Sequence, residues 1–360
     1  MSNCVLFVQN RPHRAGAQTC LARMLGEPAL RQWNPIVLCS KSGWLTEECD
    51  RTGIPFLTER FPSSRSLGSR LMGNRAFSKR VLRQVCALGV EPDIVFANDH
   101  WEGLLGVELG RKFKAKTAIL LRSPGMNERD YKKYSCGSYQ CIATIGDDLN
   151  KRVQGWDPTN SVHKVYDGIM PNEFRDPRPK PDSCPARVLV IGSALDWKGW
   201  ADLSEAVWHL QKNGDFDWRF DFTGDEPNPV VNDMQLGRLQ EGTCTFLGRR
   251  ENFRELVRSY DLVINPTWHE TFGMAAVEVL AAGVPLLSTR TGVMGRIQPE
   301  GPMLVAPRRS DELAEAMSNL EKNWRSLDFD VAGCQERIQR QFLVEATAQR
   351  WDGLFEELLK

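Results

Sequence analysis

A chain of 360 residues, 41% hydrophobic and 26% charged, is long enough for two globular domains, and no apolar run reaches the roughly 18 residues of a membrane span. The N-terminus MSNCVLFVQN has no basic region ahead of its short apolar run, so the expected location is cytoplasmic. The net charge of zero conceals two halves of opposite sign: residues 1–180 carry 27 Lys+Arg against 18 Asp+Glu, and the remainder 19 against 28.

In chain order, residues 5–8 form the first apolar run, followed by the loop Arg11-Pro-His-Arg-Ala-Gly16-Ala17 and a helix carrying Cys20, Leu21, Met24 and Leu25 at helical spacing. Gly16, at that helix start, lets the backbone approach a ligand closely. Residues 36–39 and 55–57 are short strands. A basic stretch, residues 60–83, interleaves Arg65, Arg70, Arg75, Lys79 and Arg83 with Phe61, Leu67, Phe77 and Val81. It reads either as a solvated helix face or as a surface for an anionic acceptor or anionic lipid headgroups; nucleic acid is not expected, because no nucleic-acid motif accompanies it. Further strands span residues 93–98, 117–121, 141–145 and 163–166, with the polar loops Asn98-Asp99-His100 and Arg122-Ser123 after two of them. Apolar runs alternating with helices over about 165 residues predict a doubly wound α/β domain.

Prolines 171, 177, 179, 181 and 185 crowd the next segment, which is predicted to be a semi-rigid linker. A second α/β domain then begins with a strand over residues 188–191 and the loop Gly192-Ser-Ala-Leu-Asp-Trp-Lys198-Gly199, where a lysine beside a glycine at a helix start can meet a phosphate. Strands follow at 219–223, at 244–247 with Gly248-Arg249 at its end, and at 303–305. Ser310-Asp-Glu-Leu reads as a capped helix start, and the last helix spans residues 344–359. The ten cysteines lie singly, without a C-x-x-C pair or zinc spacing, which argues against a disulfide framework or metal site. The triplets Asp215-Phe-Asp217 and Asp328-Phe-Asp330 read as solvated turns, so no metal is expected.

Between these elements lies residues 261–289, DLVINPTWHETFGMAAVEVLAAGVPLLST, which reads as strand, loop, helix and strand: one βαβ unit. Two carboxylates mark it. Glu270 precedes the helix, and Glu278 sits on an otherwise apolar helix, where an ionised side chain requires hydrogen-bond donors. The amides of Thr271, Phe272, Gly273 and Met274 at the helix start, with the helix dipole, suit a diphosphate, and a carboxylate a turn further along suits the hydroxyls of a ribose.

Glu270, seven residues and Glu278, within HETFGMAAVEVLAAGVP, resemble the donor-site motif of retaining nucleotide-sugar-dependent glycosyltransferases of family 4. The resemblance implies the GT-B fold, two facing Rossmann-like doubly wound domains with a cleft between them: residues 1–172 for the acceptor, a linker over 173–186, residues 187–335 for the donor, and residues 336–360 as a helix crossing back. Lys198-Gly199, Gly248-Arg249 and the Gly16 loop resemble further elements of the pattern. The chain departs from it at Ala17 (glycine), Ser193 (arginine), Asp167 (asparagine) and Gly295 (glutamate), and Arg122-Ser123 stand where a histidine is common.

The resemblance implies transfer of a sugar from a nucleotide diphosphate sugar to a glycan or lipid-linked acceptor with retention, in the cytoplasm or on the inner face of the membrane, without a metal or other cofactor. Glu270 and Lys198 are the expected catalytic residues. Gly16, Lys198, Gly248, Arg249, Thr271, Phe272, Gly273, Met274 and Glu278 are expected at the donor, and Asn98, Asp99, His100, Arg122 and Ser123 at the acceptor. The alternatives are a degenerate relative that binds nucleotide sugar or a partner protein without turnover, supported by Ser193 and Gly295, and a nucleotide-sugar epimerase. No G-x-G-x-x-G follows either domain's first strand, which argues against a nicotinamide dehydrogenase.

Overall fold

Strands buried on both faces by flanking helices are continuously apolar, and the apolar runs of this chain take that place. The computed structural model describes residues 3–62, 67–181, 187–214, 216–224, 226–240, 242–248, 250, 252–298 and 300–360, with only the backbone of 67–72. Two units emerge, Met1–Met170 with Phe342–Lys360, and Pro171–Gln341.

The first unit holds seven parallel strands: β1 (Val5–Gln9), β2 (Ile36–Cys39), β3 (Phe56–Thr58), β4 (Ile94–Ala97), β5 (Lys116–Leu121), β6 (Cys141–Thr144) and β7 (Val162–Lys164), in the order β3-β2-β1-β4-β5-β6-β7. Phe7 of β1 pairs in register with Phe96 of β4, their rings 4.9 Å apart. The helix Val344–Leu359 belongs to this unit, laying Trp351 on Phe96 at 4.7 Å and Phe355 on Trp33 at 5.4 Å, while the Trp33 indole N–H donates to Asp352 at 2.7 Å. Entry to that helix is fixed by Ile169, whose N–H donates to Phe342 O and whose carbonyl accepts from Val344 N. Gly168 permits the approach, since a Cβ there would lie 2.3 Å from Val344 Cα.

The second unit holds β8 (Val188–Val190), β9 (Phe220–Phe222), β10 (Cys244–Phe246), β11 (Leu262–Asn265), β12 (Leu286–Thr289) and β13 (Leu304–Val305), all parallel, in the order β10-β9-β8-β11-β12-β13. Trp200, Phe220, Phe222, Leu262, Ile264 and Leu287 form the centre of its core. Each sheet reverses its strand order once, between β1 and β4 in the first unit and between β8 and β11 in the second. At such points the loops at the carboxyl ends of the strands diverge and leave a crevice for a ligand.

Three local expectations change. The proline-rich segment is no free linker as far as Pro181: Arg175 N–H donates to Ala281 O, Arg178 N–H to Gly283 O, and Lys180 Nζ to the Arg325 and Leu327 carbonyls, which straps it along the second unit. Residues 182–186, including Pro185, lie outside the described residues. Ser310 is the first residue of the helix Ser310–Asn323 and not its cap; Arg309 holds that position, and no side chain caps the turn. In the basic helix Leu67–Ala87, Phe77, Val81 and Val85 recur every four residues and are buried in the core, so they are not available to insert into a membrane. Arg75, Lys79 and Arg83 remain on the exposed face, while Arg65 and the Arg70 side chain lie outside the described residues. No described helix is long and apolar enough to cross a membrane.

Candidate functional site

At the reversal point of the second unit, the loops after β8 and β11 are locked together by backbone. Gly199 has φ +71°, and a Cβ on it would lie 1.9 Å from Pro266 O, so only glycine admits this contact. The Trp197 carbonyl accepts from Trp268 N–H at 2.7 Å and from the Thr267 hydroxyl at 3.0 Å. Trp268 is anchored further by its indole N–H, which donates to Asp202. This clasp sets Lys198 opposite Glu270, with Nζ donating to Oε1 at 2.5 Å and both side chains about one-fifth exposed.

The helix after this loop, Met274–Ala281, starts later than the apolar pattern suggested, because Gly273 is its left-handed N-cap at φ 93°. The first helical bond runs from Val277 N–H to Gly273 O, so Thr271 and Phe272 stand in the loop ahead of the dipole instead of in the first turn. Thr271 is buried, and its hydroxyl has no hydrogen-bond partner among the described residues. Phe272 is buried too, its carbonyl accepting from Val293 N–H; Gly292, at φ +57°, allows that approach, because a Cβ there would meet Phe272 O at 2.2 Å. Glu278 lies half-buried on the same helix. Gly248, at φ +66°, ends the neighbouring β10 edge with its N–H on Gly224 O at 3.0 Å. Arg249 lies outside the described residues, and Ser193 is exposed in the Lys198 loop. Lys198 and Glu270 are thus paired through their side chains, and Thr271, Gly273, Met274 and Glu278 follow Glu270 along the loop and the helix it enters.

The first unit assembles a different set at its own reversal point. Arg122 is buried and spent internally: its Nε donates to Asn98 Oδ1 at 3.0 Å, and its Nη1 reaches both oxygens of Asp167 at 2.6 and 2.7 Å. Two departures from the resemblance, an arginine in the place of a histidine and an aspartate in that of an asparagine, therefore meet as one ion pair. Burial pulls the Arg122 guanidinium down, but the Asp167 charge and hydrogen bonds, together with Cys20 and Asp99, raise it overall. Neither Arg122 nor Asn98 projects from this network toward solvent, unlike the expected acceptor-side contacts. Asp99 accepts from the Ser123 hydroxyl at 2.6 Å, from the Arg122 N–H at 3.1 Å and from His100 N–H at 2.8 Å, and lies 3.0 Å from His100 Nδ1. Burial would raise the Asp99 carboxyl, yet these bonds hold it below its usual range. Gly16 opens the helix Gly16–Gly26 without a left-handed φ, and a Cβ on it would meet open space, so the fold itself does not require glycine there.

Beside this network lies a hollow of about 450 Å³, lined among others by Arg11, His13, Gln18, Trp101, Glu102 and Tyr134. Glu102 was not among the expected site residues. It is buried at the mouth of the helix Gly103–Phe113, with Oε1 accepting from Asn10 N–H at 2.9 Å and Oε2 unpartnered among the described residues. Burial, and then the Asp99 charge, push its carboxyl up to about 8 against the Asn10 amide and Arg11. A carboxyl whose folded pKa is raised is protonated preferentially in the folded state, so its contribution to stability falls as pH rises from about 4.5 to about 8. The expected result is a loss of thermal stability across that range, flattened in Glu102→Gln; equal slopes in both proteins would remove this assignment.

Residues 185–323 match the family described as Glycosyl transferases group 1. This segment is similar to that family. It begins just ahead of β8 and contains both loops of the Lys198–Glu270 clasp. Among curated relatives, an uncharacterised glycosyltransferase of Methanocaldococcus jannaschii is 27% identical over 56% of this chain and 53% of its own length. The MMP alpha-(1->4)-mannosyltransferase of Mycolicibacterium hassiacum is 29% identical over 46% of this chain and 41% of its own. The chain thus spans about half the length of the curated relatives it matches. Among solved structures, Anabaena HepE in complex with UDP aligns with a TM-score of 0.77 over 98% of this chain and 100% of its own at 16% identity. HepE has also been solved with UDP-glucose. The likeness is one of fold: two parallel-sheet α/β units of the GT-B glycosyltransferase type.

Proposed function

We propose that the chain transfers a glycosyl group from a nucleotide diphosphate sugar, held by the second unit, to a glycan or lipid-linked acceptor bound by the first, with retention as in family 4. The observation that carries this reading is the clasp at the β8/β11 reversal, which pairs Lys198 with Glu270 in the loop that leads into the Met274–Ala281 helix bearing Glu278. A departing diphosphate develops negative charge, and a fixed cation with a helix dipole stabilises that charge without reorganising at the moment of reaction. In this mechanism Lys198 exchanges its carboxylate partner for a phosphate oxygen, which frees Glu270 beside the sugar. Thr271 offers its unpartnered hydroxyl, and Glu278 takes the ribose hydroxyls. Because Lys198 and the helix start supply the positive potential, no metal is required in this reading. HepE's ligands make UDP-glucose the first donor to test.

Incubation with labelled UDP-, GDP- and ADP-sugars in EDTA tests the proposal. Release of nucleoside diphosphate with free or transferred sugar is expected. An isomeric nucleotide sugar would indicate an epimerase, and binding without product a degenerate relative, the reading favoured by the exposed Ser193 in the place of an arginine. Glu278→Ala is expected to weaken nucleotide affinity by roughly 1.5–3 kcal/mol, the contribution of hydrogen bonds to a charged group; unchanged affinity in a folded variant would exclude the ribose role.

The positive half of the chain supports peripheral attraction to anionic membrane through Arg75, Lys79 and Arg83, each contributing about 1 kcal/mol and screened within about 8 Å at physiological salt. Salt-sensitive sedimentation with anionic vesicles, lost when all three become Ser, is the expected result; equal pelleting of the variant would reject this face.

A further inference from the structure

The loop that carries Glu270 is anchored on its buried side by Pro266 O against Gly199 and by the Thr289 hydroxyl, which donates to Thr267 O at 2.5 Å. On its solvent side lies the half-buried Trp268. The Trp268 indole N–H donates to Asp202, in the first turn of the helix Trp200–Asn213, while its backbone N–H holds the Trp197 carbonyl next to Lys198. Whatever fixes this indole therefore acts on both members of the Lys198–Glu270 pair.

A second contact reaches the indole from the loop after β13. The Arg308 guanidinium carbon lies 4.6 Å from the centre of the Trp268 ring. Arg308 is exposed and forms no ion pair among the described residues. Its backbone takes φ +61°, the left-handed region that glycine or asparagine enters far more readily than arginine. The turn is held from the residues around it: Ala306 N–H donates to Glu312 Oε2 at 2.9 Å, and Arg309 pairs with Asp311 at 2.6 Å and with Glu312 at 3.0 Å. A residue kept in an unfavourable conformation by its surroundings is a mark of function.

A cation over the face of an indole is attracted by the ring, and polar contacts in series strengthen one another. Arg308, Trp268 and Asp202 form such a series, from cation through ring to carboxylate. Burial, assisted by Glu205, lifts the Asp202 carboxyl above its usual range, against the opposing pull of the Trp268 N–H and Arg308. We propose that Arg308 and Asp202 are positioning residues: gripping the Trp268 ring by its face and by its N–H edge, they hold the Trp197 carbonyl, and with it the placement of Lys198 opposite Glu270. The use of this placement in catalysis rests on the glycosyl-transfer reading; the placement itself does not.

Hydrogen exchange at the Trp268 amide and competitive acetylation of Lys198, both read by mass spectrometry, test the grip without substrate. Arg308→Gly removes the cation while suiting the left-handed turn, so the melting temperature should hold. Exchange and acetylation are nevertheless expected to run about two- to fivefold faster, the scale of one exposed cation–π contact. In Trp268→Phe, which keeps a ring but loses the N–H bonded to a carboxylate, the expected change is about tenfold or more. On UDP-glucose both variants should lose kcat while KM for the donor and UDP affinity are retained. Unchanged exchange and acetylation in both variants would overturn the proposal. Lowered UDP affinity in Arg308→Gly with exchange at Trp268 unchanged would also overturn it, by placing Arg308 on the donor itself. Absence of turnover by the parent protein would count against the transfer reading alone, since exchange and acetylation still judge the grip.

Discussion

Lys198→Ala is expected to lower turnover roughly 10²–10³-fold with little change in thermal stability, the scale of losing one preorganised charge-stabilising donor. The two consequences separate because the Lys198–Glu270 pair is partly exposed, at 22% and 20%, where an ion pair contributes about 0–1 kcal/mol to folding. Its position, by contrast, is fixed by backbone that the substitution leaves alone: Gly199 against Pro266, and the Trp197 carbonyl bonded to Trp268 and Thr267. Glu270→Gln separates the roles within the pair. It releases Lys198 from a competing anion, so nucleoside diphosphate affinity should hold or rise, while sugar turnover falls. Steady-state rates on UDP-glucose, with melting temperatures and UDP titrations for both variants, decide the matter. A loss of less than about threefold in a stable Lys198→Ala protein would remove the lysine from the chemistry.

The strands were legible because a parallel strand covered on both faces shows its burial directly as a run of apolar residues. Boundaries shifted where backbone conformation mattered more than polarity. Gly273 adopts a left-handed N-cap, which delays the helix to Met274, and nothing in the run from Thr271 distinguishes that from an earlier start. The strap from Arg175 to Lys180 was hidden because its partners are carbonyls, which every residue possesses. Glu102 reads in sequence as an ordinary polar residue at a helix start. It is the packing of that turn against Asn10 and Tyr134 that buries it, and those contacts join distant parts of the chain. In the same way, the basic helix displayed interleaved apolar residues, but their four-residue spacing was already a core-facing stripe.

The most instructive pair is Arg122 and Asp167, 45 residues apart, each of which reads alone as the loss of an expected residue. Together they form a bidentate pair with side chains only 5% and 6% exposed. Removing one member of such a pair leaves the other charge buried without compensation, at a cost of about 3–5 kcal/mol, whereas replacing both by apolar groups is often near neutral. Arg122→Met is therefore expected to lower the melting temperature of the first unit by roughly 2–4 °C per kcal/mol lost, and Arg122→Met with Asp167→Leu to recover most of that loss. The recovery should be incomplete, because Arg122 Nε also holds Asn98, whose amide donates to Gln9 at 2.6 Å at the end of β1. A double-mutant cycle by chemical denaturation measures the coupling. Additive losses, or a single variant within about 0.5 kcal/mol of the parent, would show that the pair is not a unit. The pairing also bears on the neighbouring strand ends. With its guanidinium held by Asp167 and Asn98, Arg122 supports the strand ends that carry Gln9 and Asp99, so the double variant should keep its fold while loosening those ends.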